Sequence, residues 1–139
     1  MKRLIAAVGI SMGIFGSVTE ARAVEMPIIQ LYPGHGTTIN FRLANEKVQR
    51  LWLDDPSQVT IDFDDVNCRT PDKPCAAQIV HLRRIKPLNF DGLPTTATPL
   101  LTIVTDQNIH QFQLAFPATG KPQSSIVNIT TSKPRSFRR

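Results

Sequence analysis

Residues 100–116, LLTIVTDQNIHQFQLAF, leave little choice of architecture. Leu100, Leu101, Ile103 and Val104 make a dense apolar run, and Thr102 and Thr105 keep it rich in side chains that suit a pleated surface. A run this apolar is what a strand needs when both of its faces are covered. Asp106, Gln107 and Asn108 interrupt it. From Ile109 the period is strictly two: His110, Phe112, Leu114 and Phe116 share one side, and Ile109, Gln111, Gln113 and Ala115 the other, the mark of a half-buried strand. Two such runs across a short polar break read as a β-hairpin, and the remaining segments read as strands packed around it.

The same period recurs along the chain. Residues 28–32 follow Pro27 and suit a short edge strand, where a missing amide costs no ladder bond. Pro33-Gly34-His35-Gly36 fits a type II turn, proline presetting one central dihedral and glycine taking the positive one. It has neither the Lys-Ser/Thr ending nor the following helix of a phosphate loop. Residues 37–43 put Ile39, Phe41 and Leu43 on one face, and Ala44-Asn45-Glu46-Lys47 reads as a polar connection. Residues 48–53 form a strand with the only tryptophan, Trp52, and Asp54-Asp55-Pro56-Ser57 is a turn by composition. Val59, Ile61 and Phe63 then alternate with Thr60, Asp62 and Asp64. Residues 78–85 make another strand, whose neighbouring cations Arg83, Arg84 and Lys86 would shield an exposed edge. Residues 87–99 read as a long loop, 117–122 as a turn-rich connection and 125–131 as a last strand. With no helical periodicity after residue 24, seven or eight short strands predict an all-β fold, a small antiparallel β-sandwich.

The ends are written differently. Lys2 and Arg3 precede an apolar run over residues 4–18, and Ala21-Arg22-Ala23 offers small residues for cleavage, so residues 1–23 read as a signal peptide. The run is interrupted by Gly9, Ser11, Gly13, Gly16 and Ser17 and is short for a bilayer span. No later stretch reaches transmembrane length, and no cysteine follows the cleavage site as a lipoprotein would require. Residues 24–131 then form one domain with one modest core, and residues 132–139 a disordered basic tail. The whole chain carries a formal net charge of +5, yet over residues 24–132 nine Lys and Arg face ten Asp and Glu. The body is close to neutral, so direct nucleic-acid binding by it is not implied. Cys68 and Cys75 flank a polar loop with two prolines; their spacing is too wide for a CxxC redox pair, and no His or acid set completes a metal site. In an oxidising compartment they are expected to form a disulfide.

Catalytic chemistry is not visible. A nucleophile needs a base and an orienting group beside it, but His35 falls in a turn, His81 and His110 in strands, and no local motif ties them together. Asp54, Asp55, Asp62, Asp64 and Asp65 lack the glycine-centred pattern of a calcium loop and read more simply as a turn and a solvated strand face. The chain is expected to be non-enzymatic, with no cofactor and no metal. An aromatic such as Trp52 more often packs a core edge, with an interface anchor beside Arg50 as the alternative; the candidate partner-binding residues are Trp52, the cations Arg83, Arg84 and Lys86, and Lys133, Arg135, Arg138 and Arg139 of the tail.

The segments GHGTTINF, VQRLWLDDPSQVTIDF and LLTIVTDQNIHQFQLAF, in that order, resemble the amino-terminal domain of the VirB/TraK family, periplasmic proteins of the outer-membrane core complex of conjugative type IV secretion systems. Leu101, Ile103, Thr105, Asp106, His110, Phe112 and Leu114 match the late hairpin pattern of that family, and the likeness covers roughly residues 28–116. Secretin and pilus-assembly amino-terminal domains share the opening glycine turn. The loop between Cys68 and Cys75 stands where that family usually has a plainer connection. The resemblance implies a structural component of a periplasmic secretion apparatus, associated with the outer membrane through protein partners, with homo-oligomerisation as a further expectation. The alternatives are a free-standing exported β-domain that binds glycan or cell-wall material, with Trp52, Tyr32 and residues 89–99 lining its surface, or a domain like the amino-terminal ones of secretins and pilus-assembly proteins.

Overall fold

The segments of period two fold into eight strands: β1 (Ile28–Gln30), β2 (Gly36–Asn40), β3 (Val48–Leu53), β4 (Val59–Phe63), β5 (Ile79–Arg84), β6 (Leu100–Thr105), β7 (Ile109–Ala115) and β8 (Ile126–Asn128). The structure, a computed structural model, describes residues 25–131, so the expected signal peptide and basic tail lie outside the described residues. The described residues hold no α-helix, only two single-turn 3-10 segments, Arg42–Ala44 and Val66–Arg69. None of their helices is long and apolar enough to cross a membrane.

The strands form two four-stranded sheets, β1-β7-β6-β3 (sheet A) and β4-β5-β2-β8 (sheet B). The β6–β7 hairpin is the centre of sheet A, with Leu101 opposite Phe112 and Ile103 opposite His110. Its turn contains no glycine; the Thr105 amide donates to the Asn108 carbonyl at 2.9 Å, and the Thr105 hydroxyl accepts the amides of Gln107 and Asn108 at 3.2 and 2.9 Å. The inner faces of the two sheets meet in one core. Ile29, Leu101, Ile103, Phe112 and Leu114 from sheet A bury against Ile39, Val59, Val80 and Leu82 from sheet B. Truncating a buried ring such as Phe112 to alanine removes about 3–5 kcal/mol, a large part of what stabilises a small domain.

The sandwich is not purely antiparallel. β1 runs parallel to β7 and β8 parallel to β2, because both are terminal strands added to edges from across the fold, with no hairpin to dictate direction. The turn after β1 follows expectation: Gly34 has φ +76 and the His35 amide reaches the Tyr32 carbonyl at 3.3 Å. Three other expectations are corrected. β5 lies between β4 and β2, so it is an interior strand, and Arg83 and Arg84 do not guard an edge. The alternation of β2 stops at Asn40; the chain turns through Arg42–Ala44 into left-handed Asn45, which carries Leu43 out to 61% exposure. Strand β6 is covered on one side only, Leu101, Ile103 and Thr105 being buried while Leu100, Thr102 and Val104 stay half-exposed.

Candidate interaction surface

Pairing register sets what the outside of each sheet displays. Across sheet A, Trp52 stands beside Thr102 and Gln111, Arg50 beside Val104 and Ile109, and Leu100 beside Gln113 and Ile28. Ile28, Trp52 and Ile109 are 57%, 53% and 69% exposed. Arg50 is the only charged strand residue on this face, and Thr102, Gln111 and Gln113 stand between its exposed apolar side chains. Sheet B presents the opposite character. Its outer rows carry Thr60 beside Arg83 and Asp62 beside His81 and Thr38, with Ile79 and Ile126 as the apolar exceptions. Arg69 pairs with Asp62 at 2.8 Å, and the Thr38 hydroxyl meets His81 Nδ1 at 3.1 Å.

The candidate residues named from sequence scatter over this frame. Trp52 belongs to the apolar face. Arg83 points outward from sheet B and Lys86 is exposed beyond its end. Arg84 points inward and is not free for a partner: its guanidinium donates to the Pro117 carbonyl at 2.6 Å and lies 5.4 Å from the Phe116 ring centroid. It plugs one end of the core. Lys133, Arg135, Arg138 and Arg139 fall outside the described residues. Tyr32 follows β1 and Trp52 lies in β3, the opposite edges of sheet A, so these two aromatics do not line one surface.

Cys68 and Cys75 are disulfide-bonded, and their loop closes one end of the opening between β3 and β4, where the Val48 amide donates to the Ala77 carbonyl at 2.7 Å. Beside the bridge, Leu51, Ile61 and Phe63 line a shallow cleft of about 250 Å³. The acids are spent on local structure. Asp65 accepts the amides of Asn67 and Ala76, Asp64 those of Gln78 and Ile79, and Asp64 also pairs with Arg42. Asp55 is buried and takes the amides of Ser57 and Thr96, which ties the long loop back to the turn after β3. Hydrogen bonds from Ser57 and Thr96 hold its carboxyl below the ordinary value.

The polar residue that the sequence reading placed in a connection, Glu46, is 2% exposed. Its carboxylate accepts from His110 Nε2 at 2.6 Å, the Thr105 hydroxyl at 2.7 Å and Asn108 Nδ2 at 2.9 Å. Around it Asp106 takes the Lys47 amide and Gln107 donates to the Asn45 carbonyl, so residues 45–47 are laced onto the β6–β7 turn. Burial pushes the Glu46 carboxyl up, but the three hydrogen bonds and the charge of His110 outweigh it and hold the group below its ordinary 4.5. The hydroxyl of Thr105 donates to the carboxylate rather than to the imidazole, an arrangement that fixes a turn and activates no nucleophile. The three histidines are not brought together: His81 faces outward on sheet B, His110 inward on sheet A, and His35 sits in the exposed turn. Among the described residues no three His, Cys, Asp or Glu side chains converge as metal ligands.

The apolar part of the candidate surface went unread in sequence, apart from Trp52. One signal was available: Ile109 stands on the polar side of its strand, in register with Gln111 and Gln113. No protein-family model matches this chain, and no curated protein matches it significantly.

Proposed function

We propose that this chain is a non-enzymatic structural β-domain of an envelope assembly, exported to the periplasm and acting through surface contacts, in the manner its resemblance to TraK-type amino-terminal domains implies. The observation that supports this most is the outer face of sheet A, where three of the exposed large apolar side chains, Ile28, Trp52 and Ile109, stand on one sheet; Leu43, Val66, Leu88, Phe90 and Ile126 are exposed elsewhere. Large apolar side chains gathered on one exposed sheet face are the kind of surface that protein partners cover. The disulfide between Cys68 and Cys75 agrees with an oxidising compartment.

The test is affinity capture of the tagged full chain from envelope membranes after mild crosslinking. Other components of a secretion channel should be recovered with it, and Ile28→Ser with Ile109→Ser should reduce that recovery while leaving the thermal midpoint near wild type, since both side chains are exposed. Recovery of the chain alone, or as a monomer bound to isolated cell wall, would sink the proposal in favour of a ligand-binding module.

A further inference from the structure

The four edges of the sandwich are unequal. β1 and β8 offer three residues each. On β4 the Ile61 carbonyl is already taken by the Arg69 guanidinium at 2.9 Å. β3 is six residues long, and its bridge to Ala77 closes only the first of them, Val48.

Beyond that bridge the direction of the free groups is fixed. The Asp54 amide donates to the Leu100 carbonyl at 3.1 Å, and Leu53 stands opposite Leu101. In an antiparallel ladder this phase makes Trp52 exchange its bonds with Thr102 and turns the amides and carbonyls of Leu51 and Leu53 to the open side. No described residue bonds to them. Residues 50–53 carry no proline and no inward-pointing charge; Arg50 is their one charged side chain, and the disulfide loop flanks the strand only as far as Leu51. The bulge at Gln49 precedes this stretch and leaves it regular.

We infer that β3 pairs antiparallel with β3 of a second copy of this chain about a two-fold axis at Trp52, joining two copies of sheet A into one eight-stranded sheet. In this register Leu51 of each copy faces Leu53 of the other, and the outward groups of both exchange four backbone hydrogen bonds. The two Trp52 rings meet at the non-hydrogen-bonded position, where cross-strand side chains approach closest. Arg50 of each copy faces Asp54 of the other. Both are exposed, and neither has an ion-pair partner among the described residues.

A second copy is the occupant because the strand read against itself answers every position at once: apolar inside, aromatic on the axis, opposite charges at both ends. The neighbouring register, Leu51 against Leu51, draws the bulged Gln49 into the ladder and leaves Asp54 without Arg50. The pairing goes beyond the envelope-assembly reading and stands on β3 alone. A monomer would leave capture of other envelope components untouched, and failed capture would leave the dimer untouched.

Sedimentation equilibrium of the full chain, expressed with its own amino-terminal segment and purified, tests it. A concentration-dependent dimer is expected. Arg50→Asp and Asp54→Arg should each raise its dissociation constant about tenfold, about 1.4 kcal/mol, by setting like charges opposite each other twice. The double variant swaps the charges and should recover wild-type association. Trp52→Cys should crosslink two copies in air, because directly opposed Cα atoms about 4.5 Å apart lie within disulfide reach. A monomer at every concentration with no Trp52→Cys crosslink overturns the inference, as does a dimer indifferent to the single reversals or a double variant as weak as either.

Discussion

Glu46→Gln removes one charge from beneath the β6–β7 turn and keeps the shape of the side chain. The carboxylate accepts bonds of 2.6, 2.7 and 2.9 Å from His110, Thr105 and Asn108. A hydrogen bond to a charged group contributes about 1.5–3 kcal/mol net. The three are not lost in full. His110 is 20% exposed and regains water, and the Thr105 hydroxyl has the Asn108 carbonyl at 3.2 Å as a second acceptor. The glutamine amide keeps only one acceptor oxygen, however, so the charge-assisted bonds to the other position are lost or exchanged for neutral ones. We expect a loss of about 2–3 kcal/mol at neutral pH, read from urea unfolding. The pH dependence carries the sharper test. The folded-state carboxyl titrates below its ordinary 4.5, so its contribution is complete above that value and is lost as pH falls through the lowered folded value. The gap between wild type and Glu46→Gln should therefore be widest near neutrality and close under acid. Because Asp55 is also held low, the difference between the two curves is the quantity to read, not the acid limb of either. A gap under about 0.5 kcal/mol, the scatter of ordinary surface substitutions, or one that stays constant into acid, would refute the assignment of Glu46 as the charged anchor of this turn.

Arg84→Met keeps the apolar stem and removes the bond to Pro117 and the contact over Phe116; a loss of about 2 kcal/mol is expected in the same assay, with Arg84→Lys recovering less than half of it. Replacing both Cys68 and Cys75 by serine should cost about 2.5 kcal/mol on the chain-entropy account of a loop this short. If reductant leaves the urea midpoint of the wild-type protein unchanged, the bridge contributes nothing to folding.

The strands were legible because burial imposes their period directly. Phe112 and Leu114 had to share a side, and their partners in β6 and β1 keep that side in the core. What the text could not convey was which strands become edges. Arg83 and Arg84 look alike in sequence, yet β5 is interior, and the pleat sends one cation to water and the other to the end of the core. Glu46 was illegible for a related reason. Its three donors come from residues 105–110, and only the tertiary closure of residues 45–47 onto the hairpin turn makes a buried carboxylate tolerable there. The disulfide and the Gly34 turn needed no such closure, since each is settled within a few residues of chain.

The two parallel edge pairings bear on when the protein can fold. Ile28 waits for Gln113, and Thr38 waits for Ile126, so each sheet contains a strand from the start of the described chain held by one from near its end. Contacts this distant in sequence are slow to form, because loop closure must precede any gain from them. A chain threaded across a membrane from its amino terminus has neither sheet complete until nearly all of it has emerged. Sheet A waits for both β1 and β7, and sheet B for both β2 and β8, whichever end of the chain appears first.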